Sequence, residues 1–111
     1  MLIGWGMSGV PEEFKAVEFD SKSWMSSSPE MSWGSVRLKM ADDLIENHLS
    51  KGMSQKEIIG LIGKPDDTQY FKNFDMVYYL GRERDLIGID SEWLVIKLKN
   101  EKADSIYVVS D

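Results

Sequence analysis

The chain has 111 residues, no cysteine and a formal net charge of −6, with 42% apolar and 29% charged side chains. These totals fit one globular domain and exclude disulfides, thiolate catalysis and cysteine-based zinc sites. The acidic excess is spread along the chain, with 2 basic against 5 acidic residues in 1–35, 5 against 6 in 36–67 and 6 against 8 in 68–111. Such a surface repels phosphate backbones, so nucleic acid is a poor partner and a basic protein a better one.

The opening residues 1–14 (MLIGWGMSGVPEEF) are briefly apolar, but they have no basic leading region and soon reach Glu12 and Glu13. That is too short for a signal peptide or a spanning helix, and the expectation is a cytoplasmic protein with no membrane association. Residues 1–35 read as irregular. Within them, 14–20 (FKAVEFD) alternate apolar and polar residues as a short strand would, and 26–35 (SSSPEMSWGS) read as a loop. Trp24 or Trp33 is expected to pack as a lid on the core.

Residues 36–50 (VRLKMADDLIENHLS) read as a helix. Val36, Met40 and Leu44 form one apolar row and Ala41, Ile45 and Leu49 the next. Lys51 suits the helix C-terminus, and Gly52 suits the left-handed residue that closes it. A second, shorter helix begins at Ser54, whose partner Glu57 three residues on makes a capping box, with Met53 and Ile58 spaced as a hydrophobic staple. Gly63 ends that helix and Pro65 prevents it from resuming.

After Pro65 the periodicity is that of strands. Residues 68–74 (TQYFKNF) and 76–81 (MVYYLG) predict two strands joined by a tight hairpin near Asn73 to Asp75. Residues 82–91 are a polar loop. Residues 92–100 (EWLVIKLKN) are the clearest strand, with Leu94, Ile96 and Leu98 on one face and Trp93, Val95, Lys97 and Lys99 on the other. A turn and a last strand at 105–110 (SIYVVS) follow. The fold class is therefore α+β: two helices, at 36–64, packed on an antiparallel sheet of three to four strands.

Chemical motifs are sparse. Gly63-Lys64 is followed by Pro65, which has no N–H to offer a phosphate, and no strand precedes it, so the glycines do not form a Walker loop. His48 is the sole histidine. It lies at a helix C-terminus without evident metal-ligand companions, which points to capping. Asp42 and Asp43 project about 100° apart on a helix and make a poor joint metal site. No Gly-x-Ser-x-Gly elbow is present. No metal, cofactor or catalytic set is expected, although paired carboxylates remain open because any two acids can meet in a fold. Tyr70, Phe71, Tyr78, Tyr79, Trp93 and Tyr107 all fall on expected strands. About half of them should face away from the helices, to stabilise the sheet or to form an interaction surface.

Several short motifs recur together. They are Phe19-Asp20 with Trp24, the run Arg37-Leu38-Lys39-Met40-Ala41-Asp42-Asp43-Leu44, Gly52-Met53-Ser54 with Glu57-Ile58, Leu61-Ile62-Gly63-Lys64-Pro65, Tyr78-Tyr79-Leu80-Gly81 and Trp93-Leu94-Val95-Ile96. In these the chain resembles the domain shared by small outer-membrane-assembly lipoproteins of the SmpA/OmlA type and the β-lactamase-inhibitor proteins. The resemblance implies an α+β domain that binds other proteins through its sheet and loops, without catalysis. Lipoprotein members carry a lipidated cysteine and this chain has none, which turns the expectation toward the soluble, inhibitor-like members. The expected function is an immunity protein that neutralises a bacterial toxin, most concretely a basic nuclease domain. A cell-envelope assembly or scaffold component is the alternative. The expected contact residues are Asp66, Asp67, Tyr79, Asp85, Asp90, Glu92 and Trp93, with the acids supplying charge and the aromatics buried area.

Overall fold

A computed structural model describes residues 16–27, 36–82 and 91–110. The elements run α1 (Ser21–Ser26), α2 (Val36–Asp43) continuing into a wider π-helical turn (Leu44–His48), α3 (Gln55–Ile62), then β1 (Met76–Arg82), β2 (Ser91–Lys99) and β3 (Lys102–Ser110). The fold is α+β, with a three-stranded antiparallel sheet in the order β1-β2-β3. No helix among the described residues is long and apolar enough to cross a membrane.

Local chemistry explains the helix ends. Ser54 N–H donates to the Glu57 carboxylate at 2.9 Å and Glu57 N–H donates back to Ser54 Oγ at 3.1 Å, completing the capping box. Gly63 closes α3 at φ 80°, a backbone angle that a Cβ disfavours, whereas the long helix ends before the expected 50, at His48 with extended Leu49 as its C-cap, and Gly52 takes φ 93° in the turn that follows. Leu49 N–H reaches back to Leu44 O at 2.8 Å, which widens the last turn of the long helix. In the stripe expected on that helix, Met40, Ala41, Leu44 and Leu49 are buried, whereas Val36 at the helix start is 43% exposed.

The core lies between the helices and one sheet face. Trp24, Leu38, Met40, Leu44, Ile58, Ile62, Met76, Tyr78, Leu80, Leu94 and Ile96 are all buried there. Trp24 comes from α1 and is fully buried, so it belongs to the core rather than lying on it as a loop lid. Trp33 lies outside the described residues. The possible strand at 14–20 is corrected for its described part: 16–20 are irregular and lead into α1, where Asp20 caps the helix by accepting Ser23 N–H at 2.8 Å. The segment is tied to the long helix instead of to the sheet, through Val17 N–H to Lys39 O at 3.1 Å and Phe19 N–H to the Asp43 carboxylate at 2.7 Å.

The second correction concerns 68–74, which form turns and not a strand. There is no hairpin at Asn73 to Asp75. Tyr70 and Phe71 are adjacent, so strict alternation would put one of these rings in water. The backbone instead turns over at Phe71, which has φ 56°, and Phe74 N–H bonds Phe71 O at 3.0 Å. The segment becomes a flap across the sheet face away from the helices. There Phe71, Phe74, Tyr79 and Val109 pack around buried Val77, Trp93 and Val95. Asp75 anchors its end, donating N–H to Ile96 O at 3.0 Å and accepting Leu98 N–H at 2.6 Å.

Candidate partner-binding face

The flap and the sheet together build an aromatic face. Tyr79 and Trp93 are cross-strand partners on β1 and β2, with ring centroids 4.7 Å apart and planes at 61°. Tyr70 lies 5.3 Å and Phe71 5.8 Å from the Trp93 ring. Edge-to-face geometry of this kind adds about 0.5–1.5 kcal/mol per pair beyond area burial. Tyr79 Oη is 3.1 Å from Ser91 Oγ. Trp93 itself is only 7% exposed, and its buried indole N–H has no hydrogen-bond partner among the described residues. Tyr70 is the ring that reaches solvent, at 55% exposure.

Beside these rings the flap encloses an open cleft of about 350 Å³. Its lining includes Asp66, Asp67, Lys72 and Asp75 among the polar groups and Tyr70, Phe71 and Phe74 among the rings. Asp67 is exposed. Asp66 has a different role. Its Oδ2 accepts Tyr79 N–H at 2.7 Å and lies 3.3 Å from Arg37 Nη1. Arg37 is buried, stacks 5.3 Å from the Trp24 ring centroid and donates to Ser27 Oγ at 3.3 Å. The guanidinium thus joins α1, α2, the start of the flap and β1 through one side chain.

The seven residues expected from the sequence therefore divide. Tyr79, Trp93 and Asp67 lie on or beside the aromatic face. Asp66 adjoins it but holds the fold together. Glu92 is buried, opposite Gly81 of β1 and Ser110 of β3. Asp85 and Asp90 lie outside the described residues. Reading the flap as a strand missed that Tyr70 and Phe71 converge on Trp93 while Phe74 packs on Tyr107. The adjacency of Tyr70 and Phe71, which breaks the alternation, was the signal for it. The buried role of Arg37 had no local signature.

Residues of the short sequence motifs have structural tasks. Tyr78 Oη–H donates to Gly63 O at 2.7 Å, tying β1 to the end of α3, and burial pushes the phenol far above its ordinary range. His48 Nε2 is 3.2 Å from Asp43 Oδ2, and its ring sits 5.0 Å from Phe19. The Phe19 N–H and Asn47 amide bonds hold the Asp43 carboxyl below its usual range. Among the described residues no group of three or more His, Asp or Glu side chains is arranged to hold a metal ion. Comparison with protein-family models, curated proteins and solved structures finds no match to this chain.

Proposed function

We propose that this protein is a non-catalytic protein-binding module: an immunity or inhibitor protein that covers the active site of a basic bacterial toxin domain, most concretely a nuclease. The observation that carries the reading is the aromatic face, where Tyr70 stands 55% exposed against Trp93 beside a cleft bearing Asp67 and Asp75. Rings locked against one another offer binding area at low entropic cost, and Tyr and Trp dominate interface hot spots. Carboxylates at the rim steer a basic partner and orient it. A nuclease site is basic because it receives phosphates, so an acidic rim presents the charge that such a site attracts. The acidic balance of the whole chain adds to that steering.

Co-expression with any growth-inhibiting basic domain found in a neighbouring reading frame tests the proposal. The protein is expected to restore growth and to bind the domain with an association rate that falls as salt rises. Tyr70→Ala and Asp67→Lys are each expected to raise Kd by roughly tenfold or more, the range of a single interface anchor, with the thermal midpoint nearly unchanged in Asp67→Lys and lowered by roughly 4–8 °C in Tyr70→Ala, which loses its ring contacts with Phe71 and Trp93. Undiminished affinity in both variants would move the site elsewhere. No rescue, with native-level recovery only on envelope-assembly machinery, would replace the inhibitor reading with the scaffold one.

A further inference from the structure

The two outer edges of the sheet are finished differently. On β1 the outward groups are occupied: Val77 O accepts Asp66 N–H at 2.9 Å, Tyr79 N–H is held by the Asp66 carboxylate at 2.7 Å, and Tyr79 O lies 3.5 Å from Arg37 Nη1. On β3 only the beginning is covered. Gly52 N–H donates to Ala103 O and Ala103 N–H to Met53 O, both at 2.8 Å. Beyond that point residues 104–110 make, among the described residues, no backbone hydrogen bond other than those of the ladder with β2. An edge in this state offers its N–H and C=O groups to another strand. The usual guards are confined to the start of β3, where charged Asp104 is the extra residue of a bulge between Ala103 and Ser105. Residues 105–110 read SIYVVS, without charge, proline or glycine, and their β-branched and aromatic side chains favour pairing. Tyr107 in the middle is 50% exposed.

We propose that β3 is a self-pairing edge: a second copy of this chain adds its own β3 antiparallel to this one across a two-fold axis, giving one continuous six-stranded sheet. Charge and symmetry select the occupant. A basic partner finds no carboxylate on 105–110, whereas a second copy brings an uncharged, β-branched strand of equal length. A register centred on Tyr107 pairs 105–109, clear of the bulge at Asp104. Tyr107 faces Tyr107 of the second copy, Ile106 faces Val108 and Ser105 faces Val109, so no charged residues stand opposite each other. Opposed residues also share a face, as antiparallel pairing requires. Ile106 and Val108 both pack on the helix-side core, while Val109 packs in the aromatic cluster and Tyr107 against its Phe74. Both faces would run unbroken from one copy into the other. The pairing does not depend on the partner-binding proposal and uses none of the side chains tested for it.

Sedimentation of the full chain over a wide dilution series tests this. The wild type is expected at twice 12.7 kDa when concentrated and to approach 12.7 kDa on dilution. The variant Tyr107→Lys places like charges against each other across the axis. It is expected to weaken self-association at least tenfold with an unchanged circular-dichroism spectrum. Hydrogen exchange supplies a readout that needs no variant: amides in 105–109 become more protected as wild-type concentration rises. A wild type that stays at 12.7 kDa throughout overturns the proposal. So does a folded Tyr107→Lys variant that still pairs like wild type. Edge amides protected only when a different protein is added would assign β3 to that protein.

Discussion

Arg37 and Asp66 show how a residue that looks like a site can belong to the framework. The guanidinium is buried, and the Asp66 carboxylate offsets its charge while also capping Tyr79 N–H at 2.7 Å. Removing the carboxylate leaves a buried cation and a backbone donor without their acceptor. Asp66→Ala is therefore expected to cost about 2–3 kcal/mol, below the usual figure for a broken buried pair because the Asp66 side chain keeps 28% exposure. Asp66→Asn keeps an acceptor for Tyr79 and should recover about 1 kcal/mol of that. Urea titration gives both values, with an unchanged m-value as the sign that the folded state is the same. Equal losses in the two variants would mean that the Tyr79 cap contributes nothing. Because stability and affinity would change together at Asp66, Asp67 is the cleaner test of binding.

At the scale of elements, what was legible in the sequence was local. The capping box at Ser54, the helix-closing Gly63 and the alternation of Trp93 to Leu98 each depend on residues within a turn or a strand, so spacing alone reveals them. The flap was not legible, because Phe71 adopts φ 56° to satisfy packing against Trp93, a residue 22 positions away. Asp66 was legible as an acid in a turn, but its partner Arg37 lies 29 residues earlier. The β2–β3 connection provides the element-scale prediction. Asn100 and Glu101 both have positive φ, 54° and 66°, as a two-residue type I′ hairpin requires. Asn is well suited to its place, whereas Glu bears a steric cost of roughly 1–2 kcal/mol in the left-handed region. Glu101→Gly gives the preferred Asn-Gly pair, and the relief exceeds the added freedom of the unfolded chain. The variant is expected to gain about 1 kcal/mol in chemical denaturation. The Gln55 N–H to Glu101 O bond at 3.0 Å is made by backbone and survives the change. A destabilised variant would show that the Glu101 side chain contributes more than its backbone strain costs.

The molecule as a whole should be stable between two titrations of opposite sign. At the acid end, Asp20, Asp43 and Glu57 are held below their ordinary values by hydrogen bonds from Ser23, Phe19 and Ser54. A depressed carboxyl contributes stability above its unfolded pKa, about 3.9 for Asp and 4.3 for Glu, and that contribution is lost as pH falls through the lower folded value. At the alkaline end, burial raises Tyr78. The folded protein then keeps a proton that the unfolded chain releases above about pH 10. Stability contributed by this group is complete below that pH and falls above it, by about 1.4 kcal/mol per pH unit for one proton. Tyr78→Phe should cost about 1 kcal/mol near neutrality through the lost bond to Gly63 O, yet flatten the decline above pH 10. Asp43→Asn should do the converse, leaving the alkaline limb alone and weakening the pH dependence below about pH 4. Thermal midpoints of wild type and both variants across the pH range measure the two limbs separately. An alkaline limb as steep in Tyr78→Phe as in wild type would assign it to another group, and an acid limb unchanged in Asp43→Asn would leave Asp20 and Glu57 as its source.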